Sequence, residues 1–305
     1  MSAQYVPFTA ARESWLISGV EIRAMGAALP NPSPLDPAEW GVYGIAAGSS
    51  ISYLVGAWLT WRVLRRGVKD LRLDRVDLAP DREMSWRIVR VGVPNFFEGL
   101  AMWFVNLLVL GFIGRAAELG LGTTARDGLV GAHIITVQWE SFSFLPGFAM
   151  GTAAGALAGQ YLGAGSPALA RAAIWRCTVI GMLIMGSMGA IFMLFGRPLT
   201  AIISDDPVHL DLVPRTLLAA GAIQVFFAFA MVIRNGLRGV GDTKWILAIT
   251  VFGCYAVRLP LAWYLGIHLE YGLVGIWWGL MLELAFRGSL FLLRFQFGAW
   301  ERIKV

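Results

Sequence analysis

Two carboxylates lie within long apolar stretches of the sequence, each close to a proline. Glu98 follows Pro94 by four residues in "VGVPNFFEGL", and Glu140 precedes Pro146 by six residues in "VQWESFSFLPGF". A carboxylate in such surroundings can bind a cation or carry a proton; its alternative role is a hydrogen bond to a neighbouring helix. Two amides on the same segments are further candidates to line an ion or substrate pathway: Asn95 and Gln138.

A second group of ionisable residues lies near the carboxyl end of the chain. Glu283 and Arg287 are one helical turn apart and can pair, and Arg258 can reach the same cluster. We interpret this group as a structural ion pair within apolar segments. His133 lies on the same segment as Glu140, and a lone histidine there is more typical of a packing residue than of a proton carrier.

Other chemistries lack their sequence signatures. The three histidines, at 133, 209 and 268, do not have metal-ligand spacing, and the sequence contains no Cys-x-x-Cys or nucleophile motif. "LRGVGDTK" (237–244) is similar to part of a phosphate-binding loop, but Asp242 stands where that loop requires lysine. The sequence therefore predicts a protein that is not an enzyme and has no metal site or resident cofactor.

The composition indicates what surrounds these residues. Hydrophobic residues make up 57% of the 305 residues and charged residues 15%, with a mean hydropathy of +0.64. These values exceed what a soluble core requires. Windows of about 20 residues indicate seven membrane spans: 41–64, 88–113, 129–160, 172–196, 211–235, 245–268 and 272–294. A charged side chain at the centre of a span costs about 2.5–3.5 kcal/mol, so each one requires a partner or a wet cavity.

The distribution of Lys and Arg predicts the orientation of the chain. If the spans alternate sides, one set of connections carries 16 of these residues and the opposite set carries four. The positive-inside rule places the richer set in the cytoplasm and residues 1–40 on the outer side. The net charge of +5 therefore indicates membrane topology, not a nucleic-acid partner; contact of the basic segment 65–90 with anionic lipid headgroups is the alternative role of these residues. We expect a multi-pass protein of the cell inner membrane.

Five glycines recur at every fourth position within "PGFAMGTAAGALAGQYLGAG" (146–165). They are Gly147, Gly151, Gly155, Gly159 and Gly163. In lipid, small residues at this spacing let two helix backbones approach closely, and the line drifts by about 40° per step, so it can meet more than one neighbour. This glycine ridge predicts either a moving contact or plain tight packing. Pro146 is expected to bend the helix at its upper end.

The first and last predicted spans open with the same motif. "GVYGIAAG" (41–48) and "GLVGIWWG" (272–279) share the pattern Gly-x-x-Gly-Ile-x-x-Gly, and the offset from 41 to 272 is 231 residues. We interpret both spans as the closing helix of a duplicated unit. The offset predicts about 145 further residues upstream. We therefore expect an amino-terminal truncation and a missing amino-terminal half as a partner.

At these motifs the chain resembles the multidrug and toxic compound extrusion (MATE) transporters, from about residue 41 to 297. The motifs are "VGVPNFFEGL" (91–100), "GAHIITVQWESFSFLPGFAMGTAAGALAGQYLGAGSPALA" (131–170), "NGLRGVGDTK" (235–244), "RLPLAW" (258–263) and "GLVGIWWG" (272–279). The resemblance implies two six-helix bundles around a central cavity that exports organic cations and other amphiphiles in exchange for Na⁺ or H⁺. Some family members carry acids at positions that are Met102 and Phe227 here, which implies coupling through the amino-terminal bundle instead.

We therefore expect an all-α, polytopic membrane protein of about seven transmembrane helices. Its expected parts are an extracytoplasmic tail (1–40), the closing helix of a first repeat (41–64), a basic cytoplasmic linker (65–87), a six-helix transporter bundle (88–297) and a cytoplasmic tail (298–305). The expected function is cation-coupled export of drugs or organic cations by a secondary antiporter, or an inactive fragment of one.

Two alternatives stay open. A flippase for a lipid-linked amphiphile is favoured by a cavity lined with several basic residues, but only Arg258 and Arg287 are available to line one. A receptor or assembly subunit with seven spans, which transports nothing, fits the span count but does not explain the repeated motif. Four tryptophans can line a pocket for aromatic cations or mark membrane interfaces: Trp103, Trp139, Trp277 and Trp278.

Overall fold

The computed structural model describes residues 37–67, 81–121 and 128–302, which form seven long helices. We number them α1 to α7: Pro37–Arg66, Arg82–Leu119, Leu129–Gly163, Pro167–Ile203, Pro207–Gly239, Thr243–His268 and Gly272–Phe297. A short 3-10 turn, Ala299–Arg302, follows α7. The expected all-α class is confirmed. Most of the expected tail 1–40 and the middle of the linker 65–87 lie outside the described residues.

Six of the described helices, α2 to α7, are long and apolar enough to cross a membrane. The 30 residues of α1 are enough in length, because an α-helix rises about 1.5 Å per residue. The described residues thus contain six candidate spans and a seventh long helix, α1, in agreement with the expected architecture of about seven helices.

The helices extend beyond the spans predicted from hydropathy. α2 begins at Arg82 instead of residue 88, and α4 runs from Pro167 to Ile203 instead of 172–196. α1 includes Arg65 and Arg66, so both ends of the expected linker are helical. The reason is that a hydropathy window detects only the part of a helix that matches the hydrocarbon layer.

The chain divides into two compact units, Met1–Val89 and Arg90–Val305. In the second unit, α4 packs against α3 and α5, and α7 packs against α5 and α6. A buried apolar core joins these five helices, and its members include Ile174, Ile233, Phe291, Phe295 and Trp300. The core leaves one side of α3, α5 and α7 to face the cavity described below.

The glycine ridge of α3 packs against α5 over most of its length. A Cβ atom at Gly155 would lie 2.8 Å from the carbonyl oxygen of Asn235, and one at Gly159 would lie 2.9 Å from that of Gly239. Gly147 faces methionines of both α4 and α5, so the ridge meets two neighbours. Gly163 has no atom of the described residues within 4 Å of its hypothetical Cβ. It lies one turn beyond the end of α5 and does not belong to the contact.

Pro146 does not interrupt α3, which stays helical from Leu129 to Gly163. The interruption lies instead in α4, where Phe195 has non-helical angles (φ −117°, ψ 20°) three residues before Pro198. A proline cannot donate the helical hydrogen bond, and its ring crowds the preceding turn. A kink of this kind thus lies in α4, just before Pro198.

Three π-helical turns lie within α5 and α6: Phe229–Ile233, Gly253–Arg258 and Tyr264–His268. Such turns are rare and are often found at functional sites. The first directly precedes Arg234 and the second ends at Arg258, two of the arginines that line the cavity.

The described part of the expected tail 298–305, residues 298–302, packs against the helices. Trp300 is fully buried, and its indole N–H donates to the carbonyl oxygen of Phe295 at 2.8 Å. The two rings stack with centroids 5.6 Å apart, and the guanidinium of Arg171 lies over both. Arg171 Nε also donates to Glu301 at 2.7 Å. An aromatic stack and an ion pair therefore fix the turn against α4.

Candidate substrate cavity

A cavity of about 910 Å³ lies in the second unit, with walls from α2, α3, α5, α6 and α7. Its aromatic lining consists of Trp103, Phe144, Phe227 and Trp277. Its polar and charged lining includes Asn95, Glu98, Asn106, His133, Glu140, Arg234, Arg238, Arg258 and Arg287. Small-molecule sites typically measure about 300–1,000 Å³ and combine apolar walls with a few polar groups. The cavity therefore has the size and lining of a ligand site.

Helical periodicity decides which predicted residues reach the cavity. His133 and Glu140 are seven residues apart on α3 and share one face, and Asn95 and Glu98 share a face of α2. Gln138 is exposed and does not line the cavity, because it lies about 200° around α3 from Glu140. Among the four candidate tryptophans, Trp103 and Trp277 line the cavity, whereas Trp139 and Trp278 do not.

Glu98 is held by two arginines and a hydroxyl from other helices. Its side chain is about 4% exposed, with Arg234 Nη1 3.3 Å from Oε1 and Arg238 Nη2 bonded to Oε2. Thr250 Oγ1 donates to Oε1 at 3.2 Å. Both oxygens of Glu98 thus have partners. This arrangement matches the alternative role considered for Glu98, a carboxylate that joins neighbouring helices.

The structure also brings Arg258, Glu283 and Arg287 together. Arg258 places Nε and Nη2 at 2.9 and 2.8 Å from Glu283 Oε2. Arg287 Nε lies 2.9 Å from Oε1, but outside the direction of a hydrogen bond. Gly253 makes room for this contact, since a Cβ there would lie 2.7 Å from Oε1 of Glu283. The carboxylate is fully buried between two guanidinium groups.

Glu140 differs from the other two carboxylates. Within the part of the chain that the structure describes, no guanidinium or ammonium group lies within ion-pair distance of Glu140, and its Oε1 has no hydrogen-bond partner. His133, on the same face, packs beside the ring of Trp277 with centroids 5.6 Å apart. Its Nδ1 is also without a partner among the described residues. Glu140 is thus the cavity carboxylate whose charge is not already paired.

Sequence reasoning missed Arg234 and Arg238 as lining residues. It placed them in a cytoplasmic connection, whereas their side chains are only 21% and 32% exposed and reach Glu98. The available signal was their spacing of one helical turn before "GVGD", which puts both on one face of α5. The number of arginines in the cavity therefore rises from the two expected to four.

The turn between α5 and α6 has a structural role. Gly241 has a positive φ of 84°, and Asp242 follows as the residue before α6. Asp242 does not cap α6 with its side chain; it accepts from Arg294 Nε and Nη2 at 2.8 and 3.2 Å. Arg294 also lies over the ring of Trp245, with its Cζ 4.8 Å from the centroid. This bidentate pair ties the turn to the end of α7.

Comparison with known proteins identifies the family. The MatE family model matches residues 94–264. The chain is 30% identical over 270 residues to the probable multidrug resistance protein NorM of Thermotoga maritima, covering 87% of this chain and 55% of that protein. It is 26% identical over 273 residues to the multidrug resistance protein NorM of Burkholderia vietnamiensis, covering 84% and 56%. The chain thus spans about half the length of the curated relatives it matches.

Solved structures share the fold. A crystal structure of MATE in the straight conformation superposes with a TM-score of 0.73 at 21% identity, over 87% of this chain and 58% of that one. The family match covers more than half of the chain, and six described helices can cross a membrane. This chain is therefore a multi-pass membrane protein of the MatE family, the multidrug and toxic compound extrusion transporters.

Proposed function

We propose that the chain forms one bundle of a secondary transporter that exports drugs and other amphiphilic small molecules across the plasma membrane. The observation that carries this proposal is a single cavity of about 910 Å³ that combines aromatic walls with ionisable groups from apolar helices. Aromatic walls suit the apolar body of an amphiphile, and ionisable groups suit its polar end. The NorM relatives, whose names describe multidrug resistance, support the same reading.

We further propose that export is coupled to Na⁺ or H⁺ and that Glu140 takes part. A coupling group must gain and lose a cation or proton during transport, so a permanent counter-ion works against it. Glu98 and Glu283 each contact two guanidinium groups. Glu140 has no such partner among the described residues and faces the cavity.

A second bundle is the proposed partner. The curated relatives are almost twice as long as the region they share with this chain. A carrier that alternates between two openings requires two halves that rock around the bound molecule. We propose that a second bundle covers the open side of the cavity and that membrane lipid surrounds the assembly.

The test is export of a fluorescent amphiphile from cells that produce this chain, alone and together with the amino-terminal half of the Thermotoga maritima relative. We expect Glu140→Gln to reduce export at least tenfold while the amount of folded protein stays constant. Glu118→Gln is the matched control, because Glu118 is exposed and, among the residues that the structure describes, pairs with Arg115 alone, one turn away. No export in either setting would refute the transport proposal. Export that Glu140→Gln leaves unchanged would refute the role of Glu140.

A further inference from the structure

The charges around the cavity do not balance. Four arginines line it, and each of two carboxylates, Glu98 and Glu283, is shared between two of them. We call these two groups the arginine trios: Arg234–Glu98–Arg238 and Arg258–Glu283–Arg287. Each trio has two guanidinium groups and one carboxylate and therefore carries a net charge of +1. Glu140 is the remaining carboxylate of the lining and offsets only one of these charges. The described cavity thus keeps an excess positive charge, which is costly among apolar helices unless an anion accompanies it.

We infer that this cavity binds amphiphiles whose polar end is an anion, a carboxylate or a phosphate ester, and that the arginine trios hold that end. This inference rests on the proposed transport function and names its substrate class. It departs from the organic cations that the motif resemblance implied. An organic cation would share this cavity with four guanidinium groups, and repulsion between like charges opposes its binding.

Several N–H groups of the trios lack a good hydrogen-bond acceptor among the described residues. Nε of Arg234 and Nε of Arg238 are buried and have no acceptor among the described residues. Arg287 Nη1 faces only the sulfur atoms of Met102 and Cys254, at 3.6 and 3.7 Å, and sulfur is a weak acceptor. A guanidinium group offers five N–H donors in a planar fork that matches carboxylate and phosphate oxygens. Oxygen atoms of an anionic ligand would satisfy these donors.

The rest of the lining fits the apolar body of such a ligand. Trp103, Phe227 and Trp277 line the same cavity as the arginines, together with Leu280, Met281 and Leu284 of α7. A molecule with one anionic end and an aromatic or aliphatic body would therefore contact both parts at once. Inorganic phosphate, which lacks a body, would contact only the arginines.

The experiment is a binding titration of the purified full chain in detergent with three probes that share a pyrene body: pyrenebutyrate, pyrenebutyramide and pyrenebutylamine. We expect the carboxylate to bind about ten- to a hundredfold more tightly than the neutral amide, the gain from charge-assisted hydrogen bonds. We expect the ammonium probe to bind more weakly than the amide. This comparison uses the unaltered chain, so it does not depend on whether a variant folds.

Two variants locate the effect. Arg234→Gln and Arg287→Gln each remove one cavity guanidinium. Each is expected to weaken the binding of pyrenebutyrate about tenfold and to leave the binding of pyrenebutyramide unchanged. Arg294→Gln is the matched control, since Arg294 pairs with Asp242 and does not line the cavity. Equal losses for all three variants, or for both probes, would indicate damage to the fold and would contradict the inference.

Competition separates the two sources of an anionic ligand. Displacement of pyrenebutyrate by phosphatidylglycerol in mixed micelles, but not by octanoate, would assign the site to a lipid headgroup; the reverse would assign it to a free amphiphile. Either result supports an anionic substrate. Binding of pyrenebutylamine as tight as that of pyrenebutyrate would overturn the inference and leave transport of amphiphiles intact. Failure of all three probes to bind would overturn the proposed function itself.

Discussion

Glu98 and Arg238 stand 140 residues apart in the sequence and form an ion pair between α2 and the last turns of α5. α2 makes few close backbone contacts with the other helices of the second unit, so side-chain contacts of this kind have a large part in holding it. Val105, Val109 and Ile113 of α2 add buried apolar surface. The pair therefore joins a loosely packed helix to the core.

Glu98→Gln is expected to destabilise the protein. The change removes the partner of two half-buried guanidinium groups, and breaking a buried pair from one side costs about 3–5 kcal/mol. Thermal unfolding in detergent, followed by circular dichroism, measures the loss. Glu118→Gln breaks an exposed pair worth about 0–1 kcal/mol and serves as the control. Equal unfolding temperatures for the two variants would count against this account of Glu98.

Gly155→Ala is expected to destabilise the folded protein, although glycine is about 0.8–1 kcal/mol less favourable than alanine in a helix interior. The added methyl group would lie 2.8 Å from a carbonyl oxygen of α5, and overpacking of this kind costs about 1–3 kcal/mol. Gly163→Ala is the matched control on the same helix, where the methyl group meets no described atom within 4 Å. We expect this control to unfold at the same temperature as the parent or slightly above it. A gain in stability for Gly155→Ala would contradict the close contact.

Asp242→Asn is expected to loosen the turn between α5 and α6. It weakens a bidentate pair with Arg294 in which the carboxylate is only 5% exposed, and a hydrogen bond to a charged group contributes about 1.5–3 kcal/mol. Hydrogen exchange of the amides around Gly241 reports the change directly. The comparison is Asp211→Asn, whose pair with Arg215 is more than half exposed. Unchanged protection near Gly241 would argue against the role assigned to Asp242.

Trp300→Ala is expected to cost about 3–5 kcal/mol, as for other large side chains removed from a core. The indole is fully buried, stacks on Phe295 and lies under the guanidinium of Arg171. Phe297→Ala, which removes a ring that is 82% exposed, is the control, and we expect it to change the unfolding temperature little. If the segment after α7 were unpacked, both substitutions would instead change the unfolding temperature little.

The fold was largely predictable because lipid imposes a simple rule on composition. Helices that cross a bilayer must be apolar for about 20 residues, so α2 to α7 were located within several residues of their observed bounds. The family was predictable from motifs such as "NGLRGVGDTK".

The charged lining was harder to predict, because it depends on helix rotation and on contacts across the chain. Hydropathy places Arg234 at the end of a span and Arg238 just beyond it, and it measures composition, not the face on which a residue lies. Gln138 was a candidate by its polarity but faces away from Glu140. Gly163 shows the same limit, because its packing depends on whether a neighbouring helix is present at that level.

The π-helical turn Phe229–Ile233 has one residue more than an α-helical path would need. If the same residues followed an α-helical path, the extra residue would turn everything downstream by about 100°, the rotation of one helical step. Arg234 and Arg238 would then swing away from Glu98, while Phe227 upstream would keep its orientation. The π-helical path of this turn, more than the identity of any residue in it, sets the orientation of the two guanidinium groups toward Glu98.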